Sequence, residues 1–295
     1  MMEHNTVAFL FIIPQDLTES LFSTGLFRRL KNEIDSCLIE VLTQDTHKWM
    51  FEKHPYVDVV HSYPRNKRVH ADSIHEIPYD YIVDLENNWS SWRLVNKLGV
   101  VCFAIERGKS LFARMLDTNN TAKTPYHEQL KTLAIFDINT DAYFPELHFD
   151  WKKNQNQKTT YTLLSVDTLL EETKTEHGNV RNYIETTKHP LIIAGSESLI
   201  AQIVPNKNEM VQTVIIEKTP APEFATIVRE AGHVIASDNW ILALALGFKK
   251  NISCLQQSQS VLWDNTQYPK EQLQFITLND LHKAVVSENQ APIAN

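Results

Sequence analysis

The chain has 295 residues, 43% hydrophobic and 22% charged, enough to bury one large core or two of ordinary size. Its 7 glycines, against ~20 at the usual frequency of about 7%, are so dispersed that neither G-x-G-x-x-G nor G-x-x-x-x-G-K-[ST] can be written, which excludes the phosphate cradles of Rossmann dehydrogenases, P-loop NTPases and protein kinases. A net charge of -8 excludes any global attraction to nucleic acid or anionic membrane, so an anionic partner must meet a local patch.

In chain order, the apolar run at 7–13 predicts a strand buried on both faces of a parallel sheet. It follows an acidic start and is too short for a signal peptide or a membrane span, so a soluble, cytoplasmic protein is expected. After a loop at 14–18, Leu21, Phe22, Leu26, Phe27 and Leu30 recur at helical spacing and predict one helix beginning near Glu19. Strands follow at 37–42, 57–60, 81–85 and 100–104, with helices at 47–53, through Trp92 and Leu98, and at 126–135. Cys37, Cys102 and Cys254 are too few and too scattered for a disulfide framework or a Cys-based zinc site, which implies a reducing compartment.

The polar stretch 151–160 reads as a linker, dividing the chain into domains at 1–155 and 156–295. Beyond it the alternation repeats, with strands at 161–165, 191–194, 211–216, 234–236 and 252–255. Helices are expected at 166–172, 197–203, 223–231 and 239–247. The expected fold class is therefore α/β: two Rossmann-like, doubly wound domains facing a cleft, with ligands outside the carboxyl ends of the strands.

Among chemical motifs, no D-x-D pair exists, and His70 and His75-Glu76 fit no metal-ligand spacing, so no metal is expected. Gly195-Ser196-Glu197-Ser198 lacks the second glycine of a nucleophile elbow and reads as a strand-to-helix turn with Ser196 as N-cap. Its helix N-terminus could receive an anion. Arg65-Asn66-Lys67-Arg68 is a local basic cluster after the third strand, and Arg107, Lys109 and Arg114 follow the fifth. Guanidinium groups suit bidentate recognition of anions.

Three segments carry a resemblance: Leu26-Phe27-Arg28-Arg29-Leu30-Lys31, His54-Pro55-Tyr56-Val57-Asp58, and Asp80-Tyr81-Ile82-Val83-Asp84-Leu85. Together they resemble the acceptor-binding half of the heptosyltransferases, glycosyltransferase family 9, whose pattern runs L-x-R-x-L-K, N-P-x-V-D-x-V and D-x-x-x-D-L. The likeness covers roughly residues 7–150 and is fragmentary beyond, at 192–197 and 231–255.

The resemblance implies a GT-B fold and a metal-free, inverting sugar transfer that needs no cofactor. The expected donor is a nucleotide sugar, an ADP-sugar first, and the acceptor an anionic cell-envelope glycan or glycolipid met at the inner face of the cytoplasmic membrane. It places the general base on Glu19, where the family has aspartate, with Asp16 as the alternative. An acidic first-turn residue favouring the helix dipole is the other reading of Glu19. The acceptor would meet Arg65, Lys67, Arg68 and Arg107, and the donor Gly195, Ser196, Glu197, Asp238, Asn239 and Trp240. Trp240 either stacks on a base or packs. Asp238 lacks the Thr-Gly and downstream histidine of the family's donor segment, so the alternative is a non-catalytic binding or scaffold protein whose donor site has decayed.

Overall fold

The computed structural model describes residues 6–64, 74, 78–105, 129, 132, 133, 136, 138, 145–149, 160–166, 174–204, 208–237, 240–255, 273–277 and 281. The chain divides into two compact units, Met1–Asp150 and Trp151–Asn295.

Unit 1 contains β1 (Val7–Ile12), α1 (Leu17–Ser23), α2 (Leu26–Glu33), β2 (Cys37–Gln44), β3 (Val59–Tyr63), β4 (Tyr81–Asp84), α3 (Trp89–Leu98) and β5 (Val101–Ala104). The strands form one parallel sheet in the order β3-β2-β1-β4-β5. β1 is central, and its continuous apolar run serves both faces. Phe9 and Phe11 meet Tyr81, Phe136 and Phe27, while Ala8, Leu10 and Ile12 pack with Ile82 and Leu94. Burying each of these large side chains contributes about 1.5–3 kcal/mol.

The single helix expected over 19–31 is two helices. At Thr24 the hydroxyl donates to the Leu21 carbonyl (2.6 Å), and the Thr24 and Gly25 N–H groups bond three residues back, tightening and ending α1. The helix expected at 47–53 is only a 3-10 turn, Lys48–Met50.

The residues that carried the family resemblance here are braces. Asp58 accepts from the Ile39 N–H (2.8 Å) and from Lys31 Nζ (2.7 Å), tying the end of α2 to the entry of β3. Asp80 accepts from the Ala8 N–H (2.8 Å) where β4 joins β1. His54 is buried against Phe27. That burial, then the neighbouring His148, lowers its imidazole to about 3, against a weaker opposing contact from the Thr24 backbone.

Unit 2 contains β6 (Thr162–Ser165), α4 (Lys174–Thr186), β7 (Leu191–Gly195), α5 (Glu197–Ile203), β8 (Val211–Ile215), α6 (Ala221–Glu230), β9 (His233–Ala236), α7 (Trp240–Gly247), β10 (Asn251–Leu255) and β11 (Leu273–Ile276). This sheet is also parallel, in the order β11-β10-β9-β6-β7-β8. α4 and β11 have no counterpart among the expected elements; α4 carries Gly178 and a weakly patterned face that periodicity does not detect. Val166, where a helix was expected to begin, is buried and non-helical, and 167–173 lie outside the described residues. α7 is buried from Ile241 to Leu246, all round, as its unbroken apolar sequence requires. At Gly232 the backbone runs so close to its neighbour that a Cβ would lie 2.0 Å from Thr160 Cγ2. All three cysteines are free thiols. Among the described residues no helix is long and apolar enough to cross a membrane.

Candidate functional site

In unit 1 the chain leaves β1 toward β2 and β3 on one side and reaches β4 and β5 on the other, so the switch point lies between the carboxyl ends of β1 and β4. Two loops meet there. Gln15 N–H donates to Glu86 Oε2 (2.7 Å), and Asn88 Nδ2 donates to Glu86 Oε1 (2.6 Å), so both oxygens of this buried carboxylate are engaged. Asp84, also buried, accepts from the N–H groups of Glu86 (3.0 Å) and Asn87 (2.7 Å) and holds Asn87 in the left-handed region at φ 40°. Asn88 then caps α3 through a reciprocal capping box with Ser91. Tyr63, at the end of β3, belongs to the same cluster. Burial first, then the charge of Glu86, pushes its phenol up to about 12, against hydrogen bonds with Gln15 and Gln44.

α1 begins immediately beyond β1. Asp16 is its N-cap, accepting from the Glu19 N–H through Oδ1 (2.9 Å). Glu19 is therefore a first-turn residue, half-buried, with its carbonyl accepting from the buried Gln129 Nε2 (2.9 Å). Both sequence-predicted carboxylates thus lie on one helix start at the carboxyl edge of the sheet.

In unit 2 the switch point lies between β6 and β9. β6 ends at Ser165, whose buried Oγ has no hydrogen-bond partner, and β9 is followed by the buried Ser237. α7 starts three residues later at Trp240, whose ring lies 4.9 Å from Phe224 of α6 and is half-buried. The two rings pack against each other. At the neighbouring edge, Gly195 ends β7 and Ser196 stands at the N-cap of α5. Its hydroxyl makes no cap bond and lies 3.3 Å from the Ser198 hydroxyl. Glu197 pairs with Lys218 beyond β8 (2.6 Å), with both side chains exposed.

No family model matches the chain, and no curated protein matches it in sequence. Solved structures do match. A glycosyl transferase family 9 structure from Veillonella parvula gives a TM-score of 0.69 at 11% identity, covering 96% of this chain and 89% of that one. The ADP-heptose lps heptosyltransferase II of E. coli gives 0.69 at 14% identity, covering 96% and 100%. The E. coli heptosyltransferase WaaC with ADP-2-deoxy-2-fluoro heptose gives 0.67 at 11% identity, covering 96% and 100%. The chain has the GT-B fold.

Within this GT-B chain, Glu19 and Asp16 share one edge, as do Gly195, Ser196 and Glu197. Arg65, Lys67, Arg68, Arg107, Asp238 and Asn239 lie outside the described residues. Glu86, Tyr63 and Ser165 escaped the sequence reading. The signal for Glu86 and Ser165 was positional: each lies at the carboxyl end of a strand next to a switch point. Finding it required the strand order, which adjacency in sequence does not supply.

Proposed function

We propose that the chain is a glycosyltransferase of the heptosyltransferase type, moving a sugar from a nucleotide-sugar donor to an anionic glycan or glycolipid acceptor of the cell envelope. The observation that carries this reading is the likeness in fold across 96% of the chain to heptosyltransferase structures. Glu19 supports it, a carboxylate on the first turn after β1 at the switch point of unit 1.

Glu19 acts as general base. Its carboxylate takes the proton of an acceptor hydroxyl, and that oxygen attacks the anomeric carbon of the donor. The bond from the anomeric carbon to the diphosphate oxygen breaks, the nucleoside diphosphate leaves, and configuration inverts. Asp16, the alternative base, spends one carboxylate oxygen on its cap, accepting from the Glu19 N–H.

Arg65, Lys67, Arg68 and Arg107 neutralise the acceptor's anionic groups. Unit 2 holds the nucleotide sugar through Gly195, Ser196, Glu197, Asp238 and Asn239, with the packed Trp240 bordering that site. ADP is the expected nucleotide because the similar E. coli proteins are an ADP-heptose heptosyltransferase and a heptosyltransferase with a fluorinated ADP-heptose. With such an acceptor the reaction would run at the cytoplasmic face of the membrane.

Calorimetric titration with ADP-, GDP-, UDP- and CMP-linked sugars tests this reading. An ADP-sugar is expected to bind with micromolar affinity, and Asp238→Ala to weaken it. No heat with any of the four would overturn the transferase assignment in favour of a non-catalytic binding protein.

A further inference from the structure

One polar cluster in unit 1 belongs to neither switch-point loop. His54 lies in the loop after the 3-10 turn and is 3% exposed; its Nε2 makes no hydrogen bond of regular geometry, and beyond a long contact with the Tyr56 N–H the ring has only the weak contact with the Thr24 backbone described above. A buried polar nitrogen left in that condition is costly and calls for a ligand, an ion or water. Its ring meets the His148 ring edge-on with centroids 5.1 Å apart. Glu146 is half-buried beside them, and one ligand atom from each of His54, Glu146 and His148 lies within 4.8 Å of the others.

The segment carrying Glu146 and His148 is held in place from several directions. The Glu146 N–H donates to Thr24 Oγ1 (2.9 Å), its carboxylate meets Arg28 (2.5 Å), and Phe149 packs edge-on against Trp49 at 5.2 Å.

We propose that His54, Glu146 and His148 form a binding site for a divalent transition-metal ion of the zinc class. Two imidazoles and one carboxylate are the borderline donor set that zinc takes, whereas magnesium and calcium require oxygen ligands. Zinc–ligand distances of about 2.0–2.1 Å put tetrahedral ligand atoms roughly 3.4 Å apart. Closure from the present spacing therefore needs a shift of an ångström or so. Glu146 and His148, nearer the surface than His54, can supply it by side-chain rotation.

Ligation by His54 Nε2 puts the ring proton on Nδ1 and releases the Tyr56 N–H contact there, which is long at 3.4 Å. Arg28 on the Glu146 carboxylate would orient that ligand from outside. Three protein ligands leave a fourth position for water. The ion would fasten the end of unit 1 to its α2 face, a structural role separate from sugar transfer. Sequence spacing gave no hint of the site, because His54 and His148 are remote along the chain and meet only through folding.

The test uses the full chain, stripped with a chelator and titrated with Zn²⁺ by calorimetry and with Co²⁺ by visible absorption. One equivalent of each ion is expected to bind, Co²⁺ with tetrahedral-type d–d bands, and Zn²⁺ is expected to raise Tm. His148→Ala and Glu146→Gln, at the more open ligands, should each weaken binding by ~100-fold, at or beyond the range seen on losing outer-shell partners. They should also abolish the Tm shift while leaving the circular dichroism unchanged. Absence of stoichiometric binding to the folded chain, or binding that both variants leave intact, would overturn the proposal. Nucleotide-sugar binding is measured on the same samples and does not enter this outcome.

Discussion

At the carboxyl edge of unit 1 the switch-point loops are held by carboxylates: Asp84 and Glu86 buried, Asp16 on a helix cap, Glu19 on the first turn. At the same edge of unit 2 the corresponding positions carry hydroxyls, Ser165, Ser196 and Ser237, together with helix starts. Among the described residues at that edge, Glu197 is paired with Lys218. Among the described residues, two sheets of the same parallel type thus end in different side-chain chemistry. Carboxylates can take protons from hydroxyls, whereas they would repel a diphosphate. Hydroxyls and backbone N–H groups do the reverse. On the function proposed above, unit 1 would handle the acceptor and unit 2 the donor.

Mutation can break that contrast most sharply at Glu19. Glu19→Ala should lower kcat by about 10²–10⁴-fold, the span attributed to a positioned general base, with donor affinity unchanged by calorimetry. Undiminished turnover would return Glu19 to a helix-dipole role.

Glu86 against Glu197 gives the next effect, read in stability. Glu86→Ala strands the Gln15 N–H and the Asn88 amide and should cost about 1–3 kcal/mol in urea unfolding. Glu197→Ala, which removes an exposed ion pair, should cost about 0.5 kcal/mol or less. Equal costs would mean that the two edges are not built differently.

The smallest effect is a pH dependence. Tyr63 has its phenol raised from 10.0 to about 12 by burial and Glu86, so the folded state keeps the proton that the unfolded state loses first. Its contribution to stability is complete below the ordinary tyrosine value and fades as pH rises through the folded one. Denaturation midpoints measured across that alkaline window should fall less steeply for Tyr63→Phe than for the parent chain.

Much of unit 1 was legible because its strands are short apolar runs between turns, and because Lys31, Asp58 and Asp80 recur with their spacing. Those residues act on nearby backbone, Ile39 and Ala8, so sequence pattern and structural role coincide. The helix break at Thr24-Gly25 was not legible, since the apolar spacing runs on through it and the stop is made by the tightened Thr24 and Gly25 N–H bonds and by the Thr24 hydroxyl, which donates to the Leu21 carbonyl and accepts from the Glu146 N–H. α4 and β11 stayed hidden because polar or short elements carry little periodicity.

The scarcity of glycine excluded the common phosphate cradles, and the repeated strand–helix alternation determined two doubly wound sheets. Both follow from local physics: backbone freedom at glycine, and the period of apolar residues. What only the tertiary structure decided is which residues share a place. Strand order brought Glu86 under Gln15 and Tyr63, and left Ser165 at the switch point of unit 2. Folding carried Glu146 and His148 to His54. Those encounters depend on crossovers that bring residues remote along the chain into contact, and no local pattern records them.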